Sequence, residues 1–417
     1  MRWLYDLVIF LYGTGLHIAA WFHPKARQWV RGRRDWKAQF TDALQRKNPD
    51  GRPWIWMHCA SLGEFEQGRP ILEAIRQAHP GYALLLTFFS PSGYEQRKNS
   101  PLVDLVTYLP LDTAAHARFF LEHLQPHLTF FVKYELWYQF LNELHKQGRP
   151  AVLVSALFRP GQPYFQWYGG LFRKMLKTFR YIFVQNQPSL LLLERLSIPT
   201  GVLAGDNRVD RVAHLAAMAS DYQLVKAFCR NARVLVVGSS WPPDEEVLLP
   251  LVNDRLPPGW KVLWAPHEVH EKGVSRLMGR IRQPLQRYTQ LEVGALTDAR
   301  VLLVDTIGML AGLYQYGRIA YIGGAFATGL HNTLEPAAFG LPILFGPKYQ
   351  RFTEAVTLVE RGGAFSVNMP EELLAQFERL LNDEAWQAAS REVKAFIAAN
   401  QGATEIVMKY VEELLGA

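Results

Sequence analysis

The chain is poor in cysteine: its 417 residues hold two, Cys59 and Cys229. That is too few for a disulfide framework and fits a reducing compartment. No His/Cys spacing resembles a metal site, so neither metal nor cofactor is expected. The pattern G-x-G-x-x-G is missing after the first strand of either predicted domain, which argues against a dehydrogenase. G-x-x-x-x-G-K-[ST] is missing as well, which argues against ATP hydrolysis. Repeats of solenoid period and low-complexity tracts are also missing. Charge of one sign is scarce: 45 basic against 38 acidic residues leave a net +7. Where this modest excess lies matters more than its size, and nucleic acid is not an expected partner.

What is present is apolar. Hydrophobic residues make up 49% and aromatics 13%, with 12 Trp, enough for two or three domain cores. Trp3 to Phe22 is apolar except for Asp6, Thr14, His17 and two glycines. It is about the ~20 residues that cross a bilayer. No small-residue cleavage site follows it. Lys25, Arg27, Arg31, Arg33, Arg34 and Lys37 come next, against the single acid Asp35. A basic collar behind an apolar segment keeps the remaining chain in the cytoplasm and favours anionic lipid headgroups. Residues 1–22 therefore read as a membrane-associated segment; spanning and lying in the interface both remain open.

From Pro53 onward short apolar runs alternate with amphipathic stretches. The predicted strands are Trp54–His58, Ala83–Thr87, Val106–Leu109, Leu128–Val132, Ala151–Ser155, Tyr181–Val184 and Gly201–Leu203. A second series is Arg233–Val237, Lys261–Trp264, Val301–Val304, Arg318–Ile322 and Pro342–Phe345. Runs this short and apolar, separated by helices, indicate parallel sheets covered on both faces. The fold class is α/β, with two doubly wound Rossmann-like domains facing a cleft between their strand C-terminal edges. The predicted boundaries are 23–212 and 213–395, followed by a last helix, 396–417, with no strand after it. In amphipathic pattern that last helix extends roughly from Ala385 to Ala417.

Candidate site residues follow the strands. Glu64, in Cys59-Ala60-Ser61-Leu62-Gly63-Glu64, is either the third residue of a capping box with Ser61 or a general base at the sheet edge. Glu135, in Lys133-Tyr134-Glu135-Leu136-Trp137, is a first-turn acid or a functional carboxylate. Arg208 either neutralises a phosphate or pairs with Asp206 or Asp210. Ser239 and Ser240 can contact phosphate or cap a helix. Pro266, His267, Ile307, Gly308 and Met309 end strands of the second series. The densest signal is Gly323-Gly324 followed by His331-Asn332-Thr333-Leu334-Glu335-Pro336. A strand, a glycine pair and a helix from Asn332 to Gly340 would present unpaired N–H groups to an anion. Glu335 in its first turn suits a ribose diol.

Together these segments resemble the bacterial transferases of 3-deoxy-D-manno-octulosonic acid (Kdo), over nearly the whole chain. The most specific matches are Ala60–Glu64, Glu135–Trp137, Gly205–Asp210, Gly238–Trp241, Asp305–Gly308 and His331–Pro336. The resemblance implies a GT-B glycosyltransferase that moves Kdo from CMP-Kdo to a lipid A precursor (lipid IVA), with inversion. It would act in lipopolysaccharide biosynthesis at the inner membrane, with its catalytic domains on the cytoplasmic side and anionic lipids as partners. It also implies Glu64 as base and Arg208 in place of a lysine that stabilises the transition state. Pro266, His267, Ile307, Gly308, Met309 and Asn332, Thr333, Leu334, Glu335 would contact CMP. Two positions depart from the family pattern. Lys133 stands for the first glutamate of Glu-Thr-Glu-Leu-Trp-Pro, leaving Glu135 as the second carboxylate. His267 stands for an arginine. The alternatives are another GT-B nucleotide-sugar transferase or epimerase, and an inactive paralogue that binds membrane lipid.

Overall fold

The computed structural model describes residues 2–291, 299–327 and 329–416. The outermost residues of the predicted terminal segments, Met1 and Ala417, lie outside them. The chain divides into unit 1, Met1–Asp210 with Gly402–Ala417, and unit 2, Arg211–Gln401.

Unit 1 is built on β1 (Trp54–Cys59), β2 (Ala83–Phe88), β3 (Leu105–Tyr108), β4 (Leu128–Val132), β5 (Ala151–Ala156), β6 (Tyr181–Val184) and β7 (Gly201–Leu203). These form one parallel sheet in the order β3-β2-β1-β4-β5-β6-β7. Every residue of β1, β2, β4 and β5 is buried, because helices cover both faces. That is why these strands read as unbroken apolar runs. Alternation still sorts them: Trp54 and Trp56 enter one core with Leu85 and Phe131, while Ile55, Met57 and Cys59 enter the other. Strand order reverses between β1 and β4, so the loops after these two strands flank the switch point where doubly wound sheets bind ligands. Glu135 is on the loop after β4, and Glu64 is in the first turn of the helix that the loop after β1 enters.

Unit 2 contains β8 (Arg233–Ser240), β9 (Trp260–Pro266), β10 (Leu285–Arg287), β11 (Val301–Leu303), β12 (Ile319–Ile322), β13 (Ile343–Phe345) and β14 (Ala364–Ser366). Its order is β10-β11-β9-β8-β12-β13-β14. The switch point lies between β8 and β12, whose following segments are Trp241 onward and Gly323 onward. The strands β10 and β14 go beyond the sequence reading.

Two helical expectations need correction. The last helix is not continuous: Asp383–Asn400 ends, and Ala403–Gly416 begins after a break at Gly402, φ +96°. Asp210 fixes the break by accepting the N–H groups of Gly402 and Thr404, both at 2.6 Å. The terminal helix then packs on Leu62–Ala78 within unit 1. The first helix, Arg2–Ala19, stops short of Phe22. Among the described residues no single helix is long and apolar enough to cross a membrane; Arg2–Ala19 and Pro24–Arg31 together are, but are bent by 117°.

The first helix docks by its polar groups. Tyr5 donates to Asp112 at 2.5 Å, and Asp112 accepts the N–H groups of Gln139 and Phe140 at 3.0 and 3.1 Å. One buried carboxylate thus caps the helix Tyr138–Lys146 and pins the N-terminal helix to it. Asp6 accepts from Gln139 at 2.5 Å, which gives this acid a protein partner. The outer face is left apolar, with Trp3, Phe10, Trp21 and Phe22 exposed by 70%, 65%, 79% and 75%.

Candidate functional site

In unit 1 the loop after β1 turns into the helix Leu62–Ala78, with Ser61 at the N-cap. The Ser61 hydroxyl makes no cap bond. Instead Glu64 Oε2 accepts the N–H of Ala60 at 2.5 Å. The Ser61 N–H also bonds to the Glu64 carboxylate, which is the reciprocal half of a capping box, and that carboxylate is the candidate base. Burial, followed by the negative charge of Glu135, pushes the Glu64 carboxyl up to about 7, while the bond from Ala60 and the charge of Lys133 oppose that rise. A carboxyl poised near neutrality is matched to taking a proton from a hydroxyl at physiological pH.

Glu135 lies in the loop after β4, where Lys133 adopts φ +67°, the left-handed region that non-glycine residues avoid. Strain of this kind collects at functional edges and costs about 1–3 kcal/mol. Glu135 Oε2 accepts from the Trp137 indole at 2.9 Å, and the same N–H lies 3.0 Å from His58 Nε2.

Arg208 starts the helix Asn207–Ala217. Its Nε and Nη2 grip Asp206 at 3.0 and 2.6 Å, while Asp210 serves the break at Gly402. Asp206, one of the two acids the sequence offers, is thus a partner of Arg208.

In unit 2 the glycine pair is forced by packing. A Cβ on Gly323 would sit 2.3 Å from the Ser239 carbonyl oxygen, and Gly324 has φ +96° with its Cβ position 2.3 Å from the Gly329 carbonyl. No other residue fits either position without moving backbone. Asp244, fully buried, holds this loop from the opposite side of the switch point. Its Oδ2 accepts the N–H groups of Gly324 and Trp241 at 2.9 and 2.8 Å, and its Oδ1 accepts the Tyr321 hydroxyl at 3.0 Å. Burial raises the Asp244 carboxyl above its ordinary range. The sequence shows Asp244 only as one first-turn acid among three; its role depends on a loop 80 residues away.

The helix expected from Asn332 to Gly340 is only Leu334–Ala338. Its first N–H is not open to an anion, because Asn332 Oδ1 accepts from Leu334 at 3.1 Å while Asn332 Nδ2 donates to Glu335 at 3.0 Å. Helix-terminal anion binding therefore carries less of this site than the sequence pattern suggests. Aromatic rings carry more. Trp241 donates to His331 Nε2 at 3.0 Å, and His267 stacks over both, 4.2 Å from Trp241 and 4.7 Å from His331. Burial, then the neighbouring His267, lowers His331 to about 4, so it stays neutral and accepts. Pro266 ends β9 beside His267. After β11, Ile307 is 87% exposed beside Gly308 at φ +93°, and Thr306 donates to the Met309 sulfur. Ser240 turns its hydroxyl inward to accept from Trp264 at 2.8 Å, and Ser239 takes φ +55°. Thr333 is buried and Glu335 half-buried. Among the described residues no cluster of three or more His, Cys, Asp or Glu could hold a metal ion.

Residues 34–211 match the family model described as 3-Deoxy-D-manno-octulosonic-acid transferase (kdotransferase). The chain is similar to the 3-deoxy-D-manno-octulosonic acid transferase of Rickettsia bellii, 26% identical over 382 residues, covering 89% of each chain. It is 27% identical over 386 residues to that of Chlamydophila psittaci, covering 82% of this chain and 86% of the relative. Among solved structures it resembles the UDP-GlcNAc 2-epimerase of Neisseria meningitidis bound to UDP-GlcNAc. The TM-score is 0.61 at 14% identity, over 86% of this chain and all of that one. At that identity the likeness shows the fold alone: paired Rossmann-like α/β units of the GT-B kind.

Proposed function

We propose that the chain is a Kdo transferase, a glycosyltransferase, as its similarity to the family model and to the curated transferases supports, and that it moves Kdo from CMP-Kdo to a lipid A precursor, lipid IVA. Glu64 takes the proton from the acceptor sugar hydroxyl, whose oxygen attacks the anomeric carbon. CMP leaves from the opposite side in the same step, so configuration inverts. Arg208 offsets the negative charge that grows on the phosphate. Pro266, His267, the Ile307–Met309 turn and Asn332–Glu335 hold the nucleotide. The observation that carries this reading is Glu64 itself, at the switch point of its sheet, with burial and Glu135 raising it to about 7. Incubation with CMP-Kdo and a tetra-acylated precursor, scored by product mass, is expected to add one or more Kdo. Turnover of UDP-sugars with none of CMP-Kdo would place the chain with the epimerases or another transferase class.

The acceptor is a lipid, and the N-terminal segment suits one. With its polar groups docked and its aromatics outward, Arg2–Phe22 is arranged to lie in the headgroup interface rather than to span. Arg33 turns inward, donating to the Leu109 and Phe89 carbonyls, and the remaining basic residues from Lys25 to Lys37 add attraction of about 1 kcal/mol each near an anionic surface. The protein is expected to co-float with vesicles of phosphatidylglycerol and phosphatidylethanolamine and to be released as salt rises to about 0.5 M. Trp21→Glu with Phe22→Glu should weaken flotation about tenfold or more. Equal flotation of that double variant sinks the interfacial reading.

A further inference from the structure

His58 is a titratable group that the mechanism above does not use. It is the penultimate residue of β1, with no exposure at all, on the face shared by Trp54 and Trp56. The parallel register sets it opposite Thr87 of β2 and Phe131 of β4. Thr87 Oγ1 accepts the Trp56 indole N–H at 2.8 Å and lies 2.8 Å from His58 Nδ1. On the other side of the ring, the Trp137 indole N–H is shared between His58 Nε2 at 3.0 Å and Glu135 Oε2 at 2.9 Å. His58 Nε2 and Glu135 Oε2 are themselves 3.5 Å apart. The chain Trp56–Thr87–His58–Trp137–Glu135 therefore runs from the core of the sheet to the second carboxylate of the site. Rings hold it sideways: Trp137 packs on Phe89 at 4.7 Å, and His58 meets both Phe131 and Trp137 edge-on.

We infer that His58 is a positioning residue: it fixes the Trp137 indole so that its N–H holds Glu135 within electrostatic reach of Glu64, and so sets the pH range in which Glu64 acts as a base. The inference rests on the reading of Glu64 as base. An indole has one N–H and an imidazole has fixed nitrogens, so their contact allows little choice of orientation. A carboxylate tied to such a pair keeps its place, whereas an untethered glutamate on a loop samples solvent. The groups that act electrostatically on Glu64 are Glu135 and Lys133 from the loop after β4, with Tyr134 and Cys59 also coupled to it. Those coupled to Glu135 include Tyr12 of the first helix, Tyr164 and Cys59. Within this set Glu135 is the like charge that raises Glu64, so its position is the quantity His58 controls.

The test is the acidic limb of the kcat/KM profile for Kdo transfer. Removing the Glu135 charge (E135Q) lets Glu64 ionise more easily and moves the limb to lower pH, by about one unit. His58→Leu and Trp137→Phe are expected to move it in the same direction, because Glu135 is released. His58→Leu combined with E135Q should move it no further than E135Q alone. His58→Gln, which keeps an acceptor at the Nε2 position, should hold the limb near that of the parent protein. Trp137→Phe keeps the ring against Phe89 and serves if His58→Leu does not fold. Unmoved limbs in His58→Leu and Trp137→Phe, or shifts that add to that of E135Q, overturn the inference alone. Transfer retained in Glu64→Gln overturns the general-base reading and the inference with it.

Discussion

Glu64→Gln is expected to lower kcat for Kdo transfer by about 10²–10⁴, the usual worth of a positioned general base, while CMP-Kdo still binds. The amide keeps the size of the side chain and can still accept the Ala60 N–H that Glu64 now accepts at 2.5 Å. It cannot take a proton. Loss of activity through loss of fold would therefore be visible as a loss of thermal stability, and none is expected. The sign runs the other way. Burial and the charge of Glu135 raise Glu64 to about 7, so in the folded protein its ionised form is disfavoured relative to the unfolded chain. Between the ordinary carboxyl range and about pH 7 the folded state binds the extra proton, and stability falls as pH rises through that window. A neutral amide removes that liability, so Tm above pH 7 should be equal or higher in the variant. The parent enzyme should show the matching kinetic signature. The base must be deprotonated, so kcat/KM rises with pH up to about 7 and then levels. Substantial transfer by Glu64→Gln, or a rate independent of pH between 5 and 8, rejects the assignment.

How much of this was legible in the sequence depended on whether a residue's partners were local. The strands β1, β2, β4 and β5 are covered on both faces and announce themselves as apolar runs, Trp54–His58 and Ala83–Thr87 among them. β10 and β14 are three residues each at sheet edges and only partly buried; so short a run carries no period. The break at Gly402 was hidden for a related reason. The amphipathic pattern continues across it, and the acid that fixes it, Asp210, lies 192 residues earlier. Glu64 and Glu135 could be picked out because each sits within a few residues of a strand end, where a doubly wound sheet presents ligand contacts, and Glu335 because a strand, a glycine pair and a helix start precede it. His58 could not, because it reads as the last residue of an apolar run and its role appears only when β1, β2 and β4 are set in register. The pairing of Trp241 with His331 and His267 was equally invisible: three separate loops meet there. The helix after Asn332 was over-read, since Asn332 caps it with its own side chain and leaves a shorter, less open N-terminus.

Asp244 is where one substitution is expected to cost most. Its carboxylate is fully buried and accepts three hydrogen bonds, from Trp241 N–H, Gly324 N–H and the Tyr321 hydroxyl. Asp244→Ala leaves all three donors in a dry interior, where each unsatisfied group costs about 1–3 kcal/mol. Partial relaxation and entry of water reduce the sum, so a loss of about 3–5 kcal/mol is expected, in the range measured for breaking a buried charged network. At about 2–4 °C per kcal/mol for a unit of this size, Tm of unit 2 should fall by roughly 6–20 °C. The functional loss should appear before the fold gives way. Gly324 cannot shift freely, because its backbone is wedged against Gly329 and His331, and losing its anchor frees the loop that leads to His331 and Asn332. CMP affinity measured well below the lowered Tm is therefore expected to fall by an order of magnitude or more. Asp244→Asn separates the two causes. It is nearly the same size and retains one acceptor oxygen, but turns an NH₂ toward one donor face. If the loop is held by the carboxylate's paired acceptors, Asn should restore much of the Tm and little of the CMP affinity. Full affinity in the Asn variant, or an unchanged Tm in the Ala variant, shows that the glycine loop holds its shape without Asp244.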